Sequence, residues 1–172
     1  MKKVLTLIFA IILVTGCELG SSNPIELTAE STINGNVSLG IPKTNGTAES
    51  FTQSISQDLN DVIANFSDVK DISITELNYS YTNASGNSNA VIQNATLKIN
   101  GNTIATVSNI NITEQATNGT VFSITDSVIR EQLETLFLTN TTVLIEFSGS
   151  AVSDEGPINF DVQVRLGLLV TF

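Results

Sequence analysis

The side chains able to do chemistry are few, and their spacing says where each could act. Nucleophilic catalysis needs a base beside a Ser, Thr or Cys. The 172 residues hold no His and a single Cys, Cys17. A Ser–Lys pair is the remaining route; Lys43 and Lys98 stand in no Ser-x-x-Lys spacing, and Ser67-Asp68-Val69-Lys70 has that spacing alone, with no further motif around it. Paired carboxylates suit glycoside hydrolysis. Asp58 with Asp61, and Glu131 with Glu134, lie three apart and opposite an apolar stripe, the pattern of a solvated helix face. Oxygen-rich turns at Asp68/Asp71 and Asp154-Glu155-Gly156 offer calcium-type ligands without the EF-hand spacing. Asp154 and Glu155 are the metal candidates, though turn chemistry accounts for both and no metal is expected. Tyr79 and Tyr81 are two apart, hence on one face of a strand. They are the ligand-binding candidates, because rings on a sheet stack against sugars as they do against bases. Neither a catalytic residue nor a cofactor is expected.

The lone cysteine has its own context. Lys2 and Lys3 open the chain, and Val4 to Val14 is apolar apart from Thr6. Those eleven residues make roughly 16 Å of helix at ~1.5 Å each, too short for a ~30 Å hydrocarbon core. A basic start, a short apolar run and small residues form a secretory signal. Val14-Thr15-Gly16-Cys17 then gives an aliphatic residue, a small one, Gly and Cys. This segment resembles the lipobox of bacterial lipoproteins, and the resemblance covers Met1 to Cys17 alone. It implies cleavage before Cys17, a diacylglycerol on the sulfur and a palmitate-type acyl group on the freed amine. One such chain binds a bilayer reversibly, whereas two or more anchor it stably. Glu18 stands where many lipoproteins held at the inner membrane have Asp, which points to the outer membrane. The expected organisation is a signal peptide over 1–16, a lipidated tether over 17–23 and a single domain over 24–172.

Removing residues 1–16 leaves 17 acidic and five basic side chains, a formal charge of −12. Such a body does not attract phosphate backbones or anionic headgroups, so no nucleic-acid partner is expected. Membrane contact must come from the lipid.

Asn, Ser and Thr fill about a third of the chain, a composition suited to strands joined by tight turns. Ile25, Leu27, Ala29, Ile33, Val37, Leu39 and Ile41 keep one parity, and a three-residue loop Asn34-Gly35-Asn36 is expected to fold them into a hairpin. Phe51, Ile55, Leu59, Val62, Ile63 and Phe66 fall on a helical stripe, which predicts an amphipathic helix over about 50–66. Alternation returns after Asp71, with a slip near Glu76 that predicts a bulge. A tight hairpin centred on Gly101-Asn102 sets Ile99 opposite Ile104, and Val107, Ile110 and Ile112 extend that strand. A second helix over about 127–138 starts at an Asp126 or Ser127 cap, with Val128, Ile129, Leu133, Leu136 and Phe137 as its apolar face. Ile158 to Phe172 alternates without a break, roughly 50 Å of strand at ~3.3 Å per residue, with Gly167 as the expected bend and Asn159, Asp161, Gln163 and Arg165 on a wet face.

Strands with one apolar face must close against something. The fold class is therefore mainly β: an antiparallel sandwich, immunoglobulin-like or related, with two short helices. The expected function is a membrane-anchored, non-enzymatic binding or assembly module of the cell envelope, with an envelope protein or glycan as partner. A carrier of an apolar ligand, held in a cavity between sheet and helices, is the first alternative. A carboxylate-based hydrolase is the second.

Overall fold

The computed structural model describes residues 27–172. The signal peptide, Cys17 and the tether lie outside the described residues.

Eight strands form two four-stranded antiparallel sheets packed as a sandwich. In chain order they are β1 (Thr28–Ile41), β2 (Glu49–Asp58), β3 (Asp71–Gly86), β4 (Val91–Ile99), β5 (Asn102–Asn111), β6 (Val121–Ser123), β7 (Thr142–Val152) and β8 (Ile158–Thr171). The first sheet runs β1-β8-β3-β6 and the second β2-β7-β4-β5. Two helices, α1 (Ile112–Asn118) and α2 (Ser127–Phe137), contact β3 and β5. Among the described residues no helix is long and apolar enough to cross a membrane.

Alternation builds the core. β8 contributes Ile158, Phe160, Val162, Val164, Leu166, Leu168 and Val170, all buried, from the centre of the first sheet. Val143, Ile145, Phe147 and Ala151 of β7 answer them from the second sheet, with Ile92, Ala95, Leu97 and Ile99 of β4. The slip near Glu76 is a bulge: Ile74 pairs with Leu168 and Glu76 with Gly167, leaving Thr75 extra. A Cβ on Gly167 would press on Thr75 and Glu76, so the glycine sits where the bulge needs space. α2 begins as expected, with the Asp126 carboxylate accepting from the N–H groups of Val128 and Ile129.

Four local expectations are corrected. Residues 49–58 are a strand, not a helix; only Leu59–Asp61 and Phe66–Asp68 form short 3-10 turns. Phe51 and Ile55 are four apart and fit both periods. The Ser and Thr residues between them, poor helix formers, settle the matter for an edge strand whose inner face tolerates Gln53 and Gln57. β1 runs straight through Asn34-Gly35-Asn36, because Gly35 shares the inward parity of Ile33 and Val37 and leaves room for Ile145 of the facing sheet. The β4–β5 hairpin turns on Asn100-Gly101, both at positive φ, so Ile99 pairs with Asn102 and Ile104 is the extra residue of a bulge. Chain from Ile112 leaves the sheet as α1, capped by the Asn111 side chain and ended by Gly119 in the left-handed conformation.

Candidate functional site

Tyr79 and Tyr81 face the interior. Tyr79 stacks on Phe122 at 4.9 Å, and Tyr81 is enclosed by Tyr79, Phe122, Phe147 and Phe160. Tyr81 is fully buried, and its hydroxyl has no hydrogen-bond partner among the described residues. Burial raises the pKa of both phenols, and for Tyr81 the neighbouring Tyr79 adds to the effect. Neither ring has a face open to a sugar, so the two ligand-binding candidates are corrected to core residues.

Asp154 and Glu155 hold loops. The Asp154 carboxylate accepts from the Thr44 hydroxyl at 2.7 Å and from the Gly46 N–H. The Gly46 bond, then the Thr44 bond, lower its pKa against a smaller opposing effect of desolvation. Glu155 turns elsewhere and accepts from the Asn89 amide at 2.8 Å. Between them the buried Ser153 accepts from Asn87 and donates to the Gly156 carbonyl, knitting the loops after β1 and β3 to the β7–β8 turn. Among the described residues no three acids gather as metal ligands.

Asp58 and Glu134, one from each predicted carboxylate pair, are also engaged. Asp58 caps its 3-10 turn through the Asn60 N–H. Glu134 accepts the Ile74 N–H at 2.7 Å, tying α2 to β3.

What the structure assembles instead is the outward face of the first sheet. Asn34, Arg165, Asn78 and Ser123 lie in one row across β1, β8, β3 and β6. Asn36, Gln163, Ser80 and Val121 form the next, followed by Ser38, Asp161 and Thr82. Strands ~4.8 Å apart make these rows a lattice of amides and hydroxyls, groups that both donate and accept. Two charge clusters sit within it. Glu76 accepts from Arg165 at 2.9 Å and from Asn78 at 2.7 Å, so the cation that β8 places on this face is paired. Asp161 accepts from Asn83 at 2.7 Å and from Asn36 at 3.3 Å. Desolvation pushes its pKa up, yet the hydrogen bonds from Asn83, Ser38 and Asn36 outweigh it and the net shift is down. Glu76 and Asp161 are six residues apart along the ladder, ~20 Å, well beyond the ~5–9.5 Å of a glycosidase pair. A shallow depression of about 280 Å³ opens among Asn34, Glu76, Asn78, Ser80, Gln163 and Arg165, with the exposed Val121 at its rim.

The wet side of β8 was legible in the sequence. Its neighbouring rows on β1 and β3 were not, because the expected Asn34-Gly35-Asn36 turn would have broken β1 where the lattice crosses it.

No protein-family model matches the chain, and no curated protein matches it. Among solved structures it is similar to the decameric BFDV capsid protein, with 12% identity over 85% of this chain and 99% of that one, and a TM-score of 0.38. A likeness at that level carries no argument about function.

Proposed function

We propose that the chain is a lipid-anchored, non-enzymatic binding module of the bacterial cell envelope, held at the outer membrane through Cys17. The observation that carries the binding role is the polar lattice on the outward face of β1-β8-β3-β6, with its 280 Å³ depression. Amides and hydroxyls at fixed spacing, with the Arg165 charge paired to Glu76, suit a neutral polyhydroxyl partner such as an envelope glycan. The lipobox-like leader supports the anchoring. The carrier reading calls for an apolar chamber, and what supports it is thinner: the depression on the outward face and the groove between β1 and β2 are both open, with polar side chains in their walls.

Mass spectrometry of the full chain made in a bacterium tests the anchor. Cleavage before Cys17 with a di- or triacylated cysteine is expected, and an unmodified thiol or an intact leader removes the location. Titration of the detergent-solubilised chain with soluble peptidoglycan fragments and neutral oligosaccharides tests the face. Binding that falls at least about tenfold in Gln163→Ala supports it, since ~1.4 kcal/mol is tenfold. Turnover of a substrate with no saturable binding overturns it.

A further inference from the structure

We infer that β2 is a self-association strand, and that its partner is β2 of a second copy of this chain. β2 lies at the edge of the second sheet, and among the described residues its only strand neighbour is β7, with ten consecutive pairs and no bulge. Exposed edges usually carry a Lys, a Pro or a bulge that blocks pairing with another chain. β2 has none of these; its acids, Glu49 and Asp58, stand at its two ends.

Geometry then selects the arrangement. Two adjacent antiparallel copies of one strand are related by a two-fold axis normal to the sheet, so inward-facing residues meet inward-facing residues. With Gln53 on the axis, Phe51 meets the second copy's Ile55, Thr52 its Ser54, Ser50 its Ser56 and Glu49 its Gln57. No like charges are opposed in this register, and each aromatic ring gains an aliphatic neighbour, a favourable cross-strand pair.

A second observation falls in the same place. A groove of about 250 Å³ runs between the end of β1 and the start of β2, lined by Leu39, Ile41, Pro42 and Phe51 among others. The second copy's Ile55, set opposite Phe51 on the inward face, would lie beside this groove, and the two-fold axis repeats that placement on the other side. The strip of contact is narrow, so the pair is a weak one that membrane confinement or high concentration would populate. The inference does not depend on the glycan reading or on the acyl anchor.

Symmetric cross-linking tests it on the full, detergent-solubilised chain. Gln53→Cys places two thiols opposite each other across the axis, and mild oxidation is expected to give a disulfide-linked dimer in high yield. Ser54→Cys, off the axis and on the other face, is expected to give at most about a tenth as much, and the unsubstituted chain sets the background from Cys17. Gln53→Lys sets two ammonium groups on the axis and is expected to abolish association while leaving the thermal midpoint at low concentration unchanged. Added salt is expected to favour the dimer, because it screens repulsion between bodies of net charge −10. Equal cross-linking at positions 53 and 54, a ladder of higher oligomers, or a Gln53→Lys chain that associates like the unsubstituted one overturns the inference.

Discussion

Along its outer edge β3 has backbone groups that β8 does not reach, and the chain covers them one after another. β6 pairs with Asn78 to Ser80, the Ile124 N–H donates to the Leu77 carbonyl, and Glu134 of α2 accepts the Ile74 N–H. Arg130 then donates to the Ile124 carbonyl through two nitrogens, at 2.9 and 3.2 Å, fixing the segment that makes the cover. On the opposite side of the sandwich β1 and β2 are edges over which no helix lies among the described residues, with a groove between them. Unpaired backbone is costly only where water is excluded. The covered side therefore had to be sealed from within the chain, while the bare side keeps its polar groups wet until another strand arrives. One edge serves stability and the other is left for association.

The largest test of that contrast is truncation on each side. Phe137 of α2 is fully buried, and Phe137→Ala should lower the unfolding free energy by about 3–5 kcal/mol. Phe51 on β2 is only partly buried, and Phe51→Ala should cost roughly 1–2 kcal/mol. Urea titrations at low protein concentration compare them. Equal losses would mean that the bare edge is as much a part of the core as the helix.

These two phenylalanines also mark what the sequence could and could not reveal. Phe137 belongs to a stripe that fits a helix alone, with Asp126 to start it, and α2 lies where that pattern puts it. Phe51 and Ile55 satisfy two periods, and a half-buried edge strand has no strict alternation to choose between them. The long alternation of β8 announced a sheet with one wet face, and hence the sandwich. The site rows depend on which strands flank β8, a long-range pairing that no local pattern encodes.

A glycine probes the bare side more sharply. The inward Cβ of Gly35→Ala would meet the Ile145 methyl end of the facing sheet, a flexible group that can yield only by repacking. A loss of about 1–3 kcal/mol is expected, the usual range for overpacking. No loss at all would mean that β1 lifts easily from β7, and that the groove beside β2 is wider in solution.

Glu134 tests a single bond on the covered side. Glu134→Ala leaves the Ile74 N–H without its acceptor and should cost about 1–2 kcal/mol, with hydrogen exchange at Ile74 accelerated and exchange on β8 little changed. Glu134→Gln keeps an acceptor and should recover most of the loss. Indifference of Ile74 exchange to both would mean that water caps β3 as well as the helix does.

The smallest effect concerns how the bare edge is held to the sheet behind it. Asp161 on β8 accepts from Asn36 on β1 and Asn83 on β3, so one carboxylate ties the edge strand to two inner strands. Its folded-state pKa is lowered, since the hydrogen bonds from Asn83, Ser38 and Asn36 overcome desolvation. A lowered folded pKa means that the unfolded chain binds the proton more readily. The contribution is therefore complete above the unfolded value of ~3.9 and is lost as pH falls through the folded value. Asp154 is shifted in the same direction and adds a parallel slope from the loop end. Unfolding midpoints of the unsubstituted chain should thus decline below about pH 4, and Asp161→Asn should remove part of that slope while Asp154→Asn removes another part. The side-chain carbon shift of Asp161, followed by NMR, should titrate below the ordinary aspartate range. A midpoint at or above that range would mean that desolvation prevails and that the amides do not clamp β1.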